Sequence, residues 1–72
     1  MREEILLKLG NKIRYERMKR GLSQDDLAEL ISLSTPSIST LEKGTSNIKF
    51  TTFYKIVKAL DLDLSDFLDF KL

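Results

Sequence analysis

Three times along this chain an apolar residue precedes a helix-capping residue, and a second apolar side chain follows about one turn later. The segments are Leu22-Ser23-x-x-Asp26-Leu27, Leu33-Ser34-x-x-x-Ile38 and Leu62-Asp63-x-x-Asp66-Phe67. A Ser or Asp at the cap accepts orphan backbone N–H groups of the next turn, and the flanking apolar pair sets the angle at which the chain enters the helix. One such match is common by chance. Three predict helices beginning near residues 24, 35 and 64, and they leave room for little except short helices joined by tight turns.

The remaining sequence is also helical in pattern, with no alternating strand of convincing length. A first helix is predicted from about Arg2 to Arg20. Ile5, Leu6, Leu9 and Ile13 make its apolar face, Gly10 weakens it locally, and Lys19-Arg20-Gly21 ends it. A fourth helix is predicted from about Phe50 to Leu60, with Phe50, Phe53, Ile56, Val57 and Leu60 as its buried stripe. Its start is the least defined boundary: Lys49 sits at the cap position, and Thr51 or Thr52 could cap instead. The expected architecture is all-α, a compact five-helix domain over residues 1–72. Its central unit is the segment 23–44, and helices within 50–70 complete the core and pair two copies.

Composition excludes several functions. The 72 residues include no Cys and no His, which removes disulfides, thiolate metal sites and His general bases. No nucleophile–base set, phosphate-cradling glycine loop or metal spacing is present, so neither enzyme activity, cofactor, metal nor small-molecule ligand is expected. The longest apolar run, Ile5-Leu6-Leu7, cannot span a bilayer, and no secretory pattern precedes it, so a cytoplasmic protein without membrane contact is expected. Residues 1–58 hold 11 Lys/Arg against 7 Asp/Glu, whereas residues 59–72 hold one Lys against four Asp. A polyanion would meet the front of the molecule and avoid its tail.

Within Ser23–Gly44, Leu27, Ala28 and Ile31 of one short helix and Ile38 and Leu41 of the next fall on inward positions. Thr35, Pro36, Ser39, Thr40 and Lys43 then face outward. Two helices joined by about three residues form a helix-turn-helix, a unit that can set the start of its second helix against base edges in the major groove. The run Ser23-Gln24-Asp25-Asp26-Leu27-Ala28, followed in register by Ser34-Thr35-Pro36-Ser37-Ile38-Ser39-Thr40-Leu41-Glu42-Lys43-Gly44, resembles the phage-repressor-like (Cro/C1, Xre-type) helix-turn-helix transcriptional regulators. The likeness extends from Leu9-Gly10 and Ile13-Arg14 to Ile56, Ala59 and Leu60. In length it is similar to restriction–modification controller proteins or small phage-type repressors.

The resemblance implies a regulator of transcription that binds double-stranded DNA. It implies contacts from Gln24, Ser34, Thr35, Pro36, Ser39, Thr40, Lys43, Thr45 and Ser46, and an ion pair between Arg17 and Glu42 that ties helix 1 to the reading helix. Lys12, Arg14 and Lys49 are open between phosphate contact and solvated surface, and Pro36 between base contact and a first-turn helix former. Ser32 stands where relatives carry Gly, so its backbone is expected at positive φ. Glu16 occupies a position often apolar. The reading helix has no Arg, Gln or Asn for bidentate base contacts, which implies modest direct discrimination with shape readout and dimerisation supplying the rest. Phe50, Tyr54, Phe67 and Phe70 are candidates for a homodimer interface that places two reading helices on an inverted repeat; the alternative is that all of them complete the core of a monomer. The alternative is a protein-interaction module of the same fold, such as an antitoxin with a toxin partner.

Overall fold

The computed structural model describes residues 2–45 and 47–67, and in them five helices follow one another. They are α1 (Arg2–Lys19), α2 (Gln24–Ile31), α3 (Thr35–Lys43), α4 (Phe50–Ala59) and α5 (Leu64–Phe67). The starts expected near 24, 35 and 64 fall at Gln24, Thr35 and Leu64. Ser23 and Asp26 form a reciprocal capping box: the Ser23 Oγ accepts from the Asp26 N–H at 2.9 Å, and the Ser23 N–H donates to the Asp26 carboxylate at 2.8 Å. Ser34 accepts from the Ser37 N–H at 3.3 Å, and the Asp63 N–H donates to Asp66 at 2.9 Å. At α4, of the alternatives left open by the sequence, the cap falls at Lys49. Lys49 occupies the cap without a side-chain bond, and Thr51 and Thr52 lie inside the helix.

Helices α1 to α4 stop in one way. One or two residues past each end, the chain takes a left-handed conformation: Gly21 at φ 69°, Ser32 at 59°, Gly44 at 71° and Asp61 at 57°. This turn lets the following N–H reach back five residues, from Leu22 to the Arg17 carbonyl, Leu33 to Ala28, Thr45 to Thr40 and Leu62 to Val57, at 2.9–3.2 Å. The expected positive φ at Ser32 is thus present, and Asp61 is a second such residue. Leu22, Leu33 and Leu62 therefore serve twice. Each closes one helix and, one residue later, flanks the cap of the next. That double use explains why three of the connections are so short.

The core is built from Ile13 of α1, Leu27, Ala28 and Ile31 of α2, Ile38 of α3, and Phe53, Ile56, Val57 and Leu60 around α4. Phe67 closes it, fully buried and edge-on to Phe53 at 5.4 Å between ring centroids. This corrects the placement of Phe67 in a dimer interface, because its ring is consumed within the protomer. Two apolar faces are also narrower than expected: Phe50, in the first turn of α4, is 64% exposed, and Ile5 on α1 is 37% exposed.

Gly10 is a packing device rather than a weak point. A Cβ built there would lie 2.5 Å from the Leu41 carbonyl oxygen and 2.6 Å from that of Glu42. Gly44 meets α1 in the same way, with a built Cβ 2.7 Å from Leu7 Cα. Backbone approach this close between α1 and the end of α3 admits no side chain at either position.

Candidate nucleic-acid interface

Burying Leu27, Ala28, Ile31 and Ile38 against the core turns the opposite side of α3 outward. Pro36, Thr40 and Lys43 are exposed there, Thr35 and Ser39 are half-buried, and Thr45 is exposed just beyond the helix. These sequence-predicted positions therefore run along one face of the motif, from the first residue of α3 to just beyond its last. Ser46 and Phe70 lie outside the described residues. Ser34 is taken up by its cap and by a 2.8 Å hydroxyl–hydroxyl contact with Ser37.

The polar atoms of this face are mostly engaged within the protein. The Thr35 hydroxyl donates to the Asp25 carboxylate on the first turn of α2. Thr40 donates to the Ser37 carbonyl at 3.0 Å, and Thr45 to that of Thr40 at 3.2 Å. What such hydroxyls present outward is oxygen lone pairs and, for threonine, a methyl group. Lys43 adds a point charge at the end of the helix. Asp25 was not among the residues singled out from sequence. The available signal was that an acid and a hydroxyl stood on the opening turns of the two motif helices.

The reading helix is held from behind. Arg17 meets Glu42 with Nε at 2.6 Å and Nη2 at 3.0 Å from the two carboxylate oxygens, both side chains being buried. The remaining Arg17 nitrogen donates to the Leu22 carbonyl at 2.7 Å. The bond to Glu42 raises the Arg17 pKa above its ordinary value, against the opposing effect of burial. Gln24 donates its side-chain N–H to Glu42 at 3.1 Å, which fixes the carboxamide at the start of α2. One carboxylate on α3 thus gathers α1 and α2, and no buried polar side-chain atom among the described residues lacks a partner.

The three candidate phosphate contacts are placed differently from one another. Lys12 lies 3.5 Å from Glu16, which also holds Arg20 at 2.6 Å. Glu16 is buried, and its carboxyl is held below the ordinary range chiefly by the Arg20 hydrogen bond, with Lys12 assisting against the cost of burial. This explains an acid at a position usually apolar. Lys49 borders a groove beside α3 together with Ser37, Thr40, Asn47 and Thr52. Arg14 is exposed on α1, in a shallow groove with Tyr15 and Met18.

On α4, Phe50 and Tyr54 stack at 6.3 Å, both exposed. Tyr54 shares a groove with Leu30 and Ser32, so the apolar patch spans α4 and the end of α2. No described helix is long and apolar enough to cross a membrane.

Capped helices in this register, with an outward polar α3 locked by Arg17–Glu42, define a helix-turn-helix protein. The chain belongs to the helix-turn-helix family HTH_3, which it matches over residues 13–67. It is 39% identical over 71 residues to the control protein C.BamHI of Bacillus amyloliquefaciens, covering 97% of this chain and 88% of that protein. The fold is similar to the restriction–modification controller protein C.AhdI of Aeromonas hydrophila, with a TM-score of 0.85 and 31% identity over 90% of this chain and 94% of the other. It is also similar to the controller protein C.Esp1396I, solved as a tetramer in complex with its natural 35 base-pair operator. There the TM-score is 0.82 and the identity 28%, over 90% of this chain and 86% of that one.

Proposed function

We propose that this chain is a sequence-specific transcriptional regulator of the restriction–modification controller kind, a single DNA-binding domain acting in the cytoplasm. The observation that carries this reading is the outward face of α3, held rigid from behind by the buried Arg17–Glu42–Gln24 cluster. In this reading the first turns of α3 enter the major groove, with Thr35, Pro36, Ser39 and Thr40 toward base edges. Lys43, Thr45, Ser46 and the N-terminus of α2 with Gln24 lie along phosphates.

Two copies pair through the exposed Phe50–Tyr54–Leu30 patch, so that their α3 helices fall about 34 Å apart on an inverted repeat. The likeness to a controller solved as a tetramer on its operator supports assembly of more than one copy on DNA. Few side chains here can make bidentate base contacts, so specificity combines local contacts with sequence-dependent DNA shape.

The test is fluorescence anisotropy on a duplex obtained by binding-site selection, titrated with salt. Binding that weakens steeply with salt, and that Thr40→Glu and Lys43→Glu abolish without loss of helicity, is the expected result. Absence of salt-sensitive binding at low ionic strength would favour a protein-interaction module such as an antitoxin.

A further inference from the structure

We propose that Asp25 and Thr35 act together as a specificity pair that selects a base presenting an exocyclic amino group, adenine or cytosine, at one position of each half-site. The inference rests on the DNA-binding reading above. Thr35 is the first residue of α3, and Asp25 the second of α2, so the hydrogen bond between them bridges the opening turns of both motif helices. Asp25 is exposed and Thr35 half-buried.

The donor in this bond is the Thr35 hydroxyl, since an ionised carboxylate can only accept. A hydrogen bond to an ionised acceptor is roughly twice as strong as a neutral one, so it holds the hydroxyl proton away from solvent. The neighbouring Asp26 is committed to the Ser23 cap and does not compete for Thr35. Toward the groove the pair therefore offers lone pairs: those of the Thr35 oxygen and the remaining acceptor sites of the carboxylate. Thr40 has the same polarity, its proton being given to the Ser37 carbonyl.

In the major groove, donors come from adenine N6 and cytosine N4, whereas guanine presents O6 and N7 and thymine presents O4. An acceptor-only pair accepts from the first two and sets lone pair against lone pair with the others. A carboxylate on this face also repels phosphate. It thus lowers non-specific affinity while favouring the base that can donate to it.

Binding-site selection with wild type, Asp25→Ala, Asp25→Asn and Thr35→Val tests the pair, with circular dichroism to check folding. Wild type is expected to enrich adenine or cytosine at one half-site position by about tenfold over guanine and thymine, the scale of one good base contact. Asp25→Ala and Thr35→Val each bring that ratio close to one at that position and leave the others unchanged. In Asp25→Asn the amide oxygen still receives Thr35 and an N–H replaces an outward acceptor, so the preference moves toward guanine or thymine. Folded Asp25→Ala and Thr35→Val variants that retain the wild-type preference at every position, or that lose affinity without any change of preference, overturn the specificity pair. If wild type itself shows no salt-sensitive binding, the DNA-binding reading falls with it, and this is seen before any variant is compared.

Discussion

Glu42, on the last turn of α3, receives two guanidinium nitrogens of Arg17 from the last turn of α1, at 2.6 and 3.0 Å, and both side chains are buried. A buried pair of this kind gains little net stability over well-packed apolar residues, because desolvation offsets the attraction. Its effect here is geometric, since α3 cannot rotate about its axis without breaking a forked contact. Removing one partner leaves a buried charge, so Arg17→Met or Glu42→Leu alone is expected to cost about 3–5 kcal/mol. The double variant is expected to recover much of that loss in urea unfolding while losing DNA affinity.

At Ser32 the expected change is a gain. Its φ of 59° lies in the left-handed region, which costs a side-chain-bearing residue roughly 1–2 kcal/mol relative to glycine. Glycine adds entropy to the unfolded chain, which returns about half of that. Ser32→Gly is therefore expected to stabilise the protein by about 0.5–1 kcal/mol. Ser32→Val is expected to destabilise it, both changes being read as shifts in urea midpoint.

Gly10 behaves in the opposite way. Alanine is the better helix former by about 1 kcal/mol, so an isolated helix would gain from the substitution. Here the added methyl would meet two carbonyl oxygens of α3 at 2.5 and 2.6 Å. Gly10→Ala is expected to lose about 1–3 kcal/mol net by forcing α1 and α3 apart, measurable as a lower Tm.

These residues also show how far the amino-acid sequence could be read. Helix starts were legible because caps and staples are local: the side chains of Ser23, Ser34 and Asp66 act within a turn of themselves. The burial of Gly10 was not legible, since helix propensity marks glycine as a flaw and only the approach of α3 makes it a requirement. Phe67 was misplaced for a related reason. Its position in a four-residue helix gave no sign that its ring would sit edge-on to Phe53. The Asp25–Thr35 bond joins residues ten apart on different helices, and no periodicity reports such a contact.

Stability is expected to fall on the acid side. The carboxyl of Glu16 lies below its ordinary 4.5, mainly through Arg20, and that of Asp26 below 3.8, through the Ser23 backbone N–H. A depressed folded pKa adds stability that is fully present above the unfolded value and lost as pH drops through the folded one. Tm is therefore expected to be flat from neutrality to about pH 5 and to decline below it. Glu16→Gln lowers the neutral plateau and flattens the decline, which thermal melts across pH will resolve.

The central claim, that the outward face of α3 reads DNA, is tested most directly by salt titration of binding to the selected duplex, comparing wild type with Lys43→Ala. Neutralising one phosphate contact is expected to reduce the slope of log affinity against log salt by about one, without altering the selected sequence. Wild-type affinity that does not change with salt, or a slope identical in the two proteins, would contradict the account.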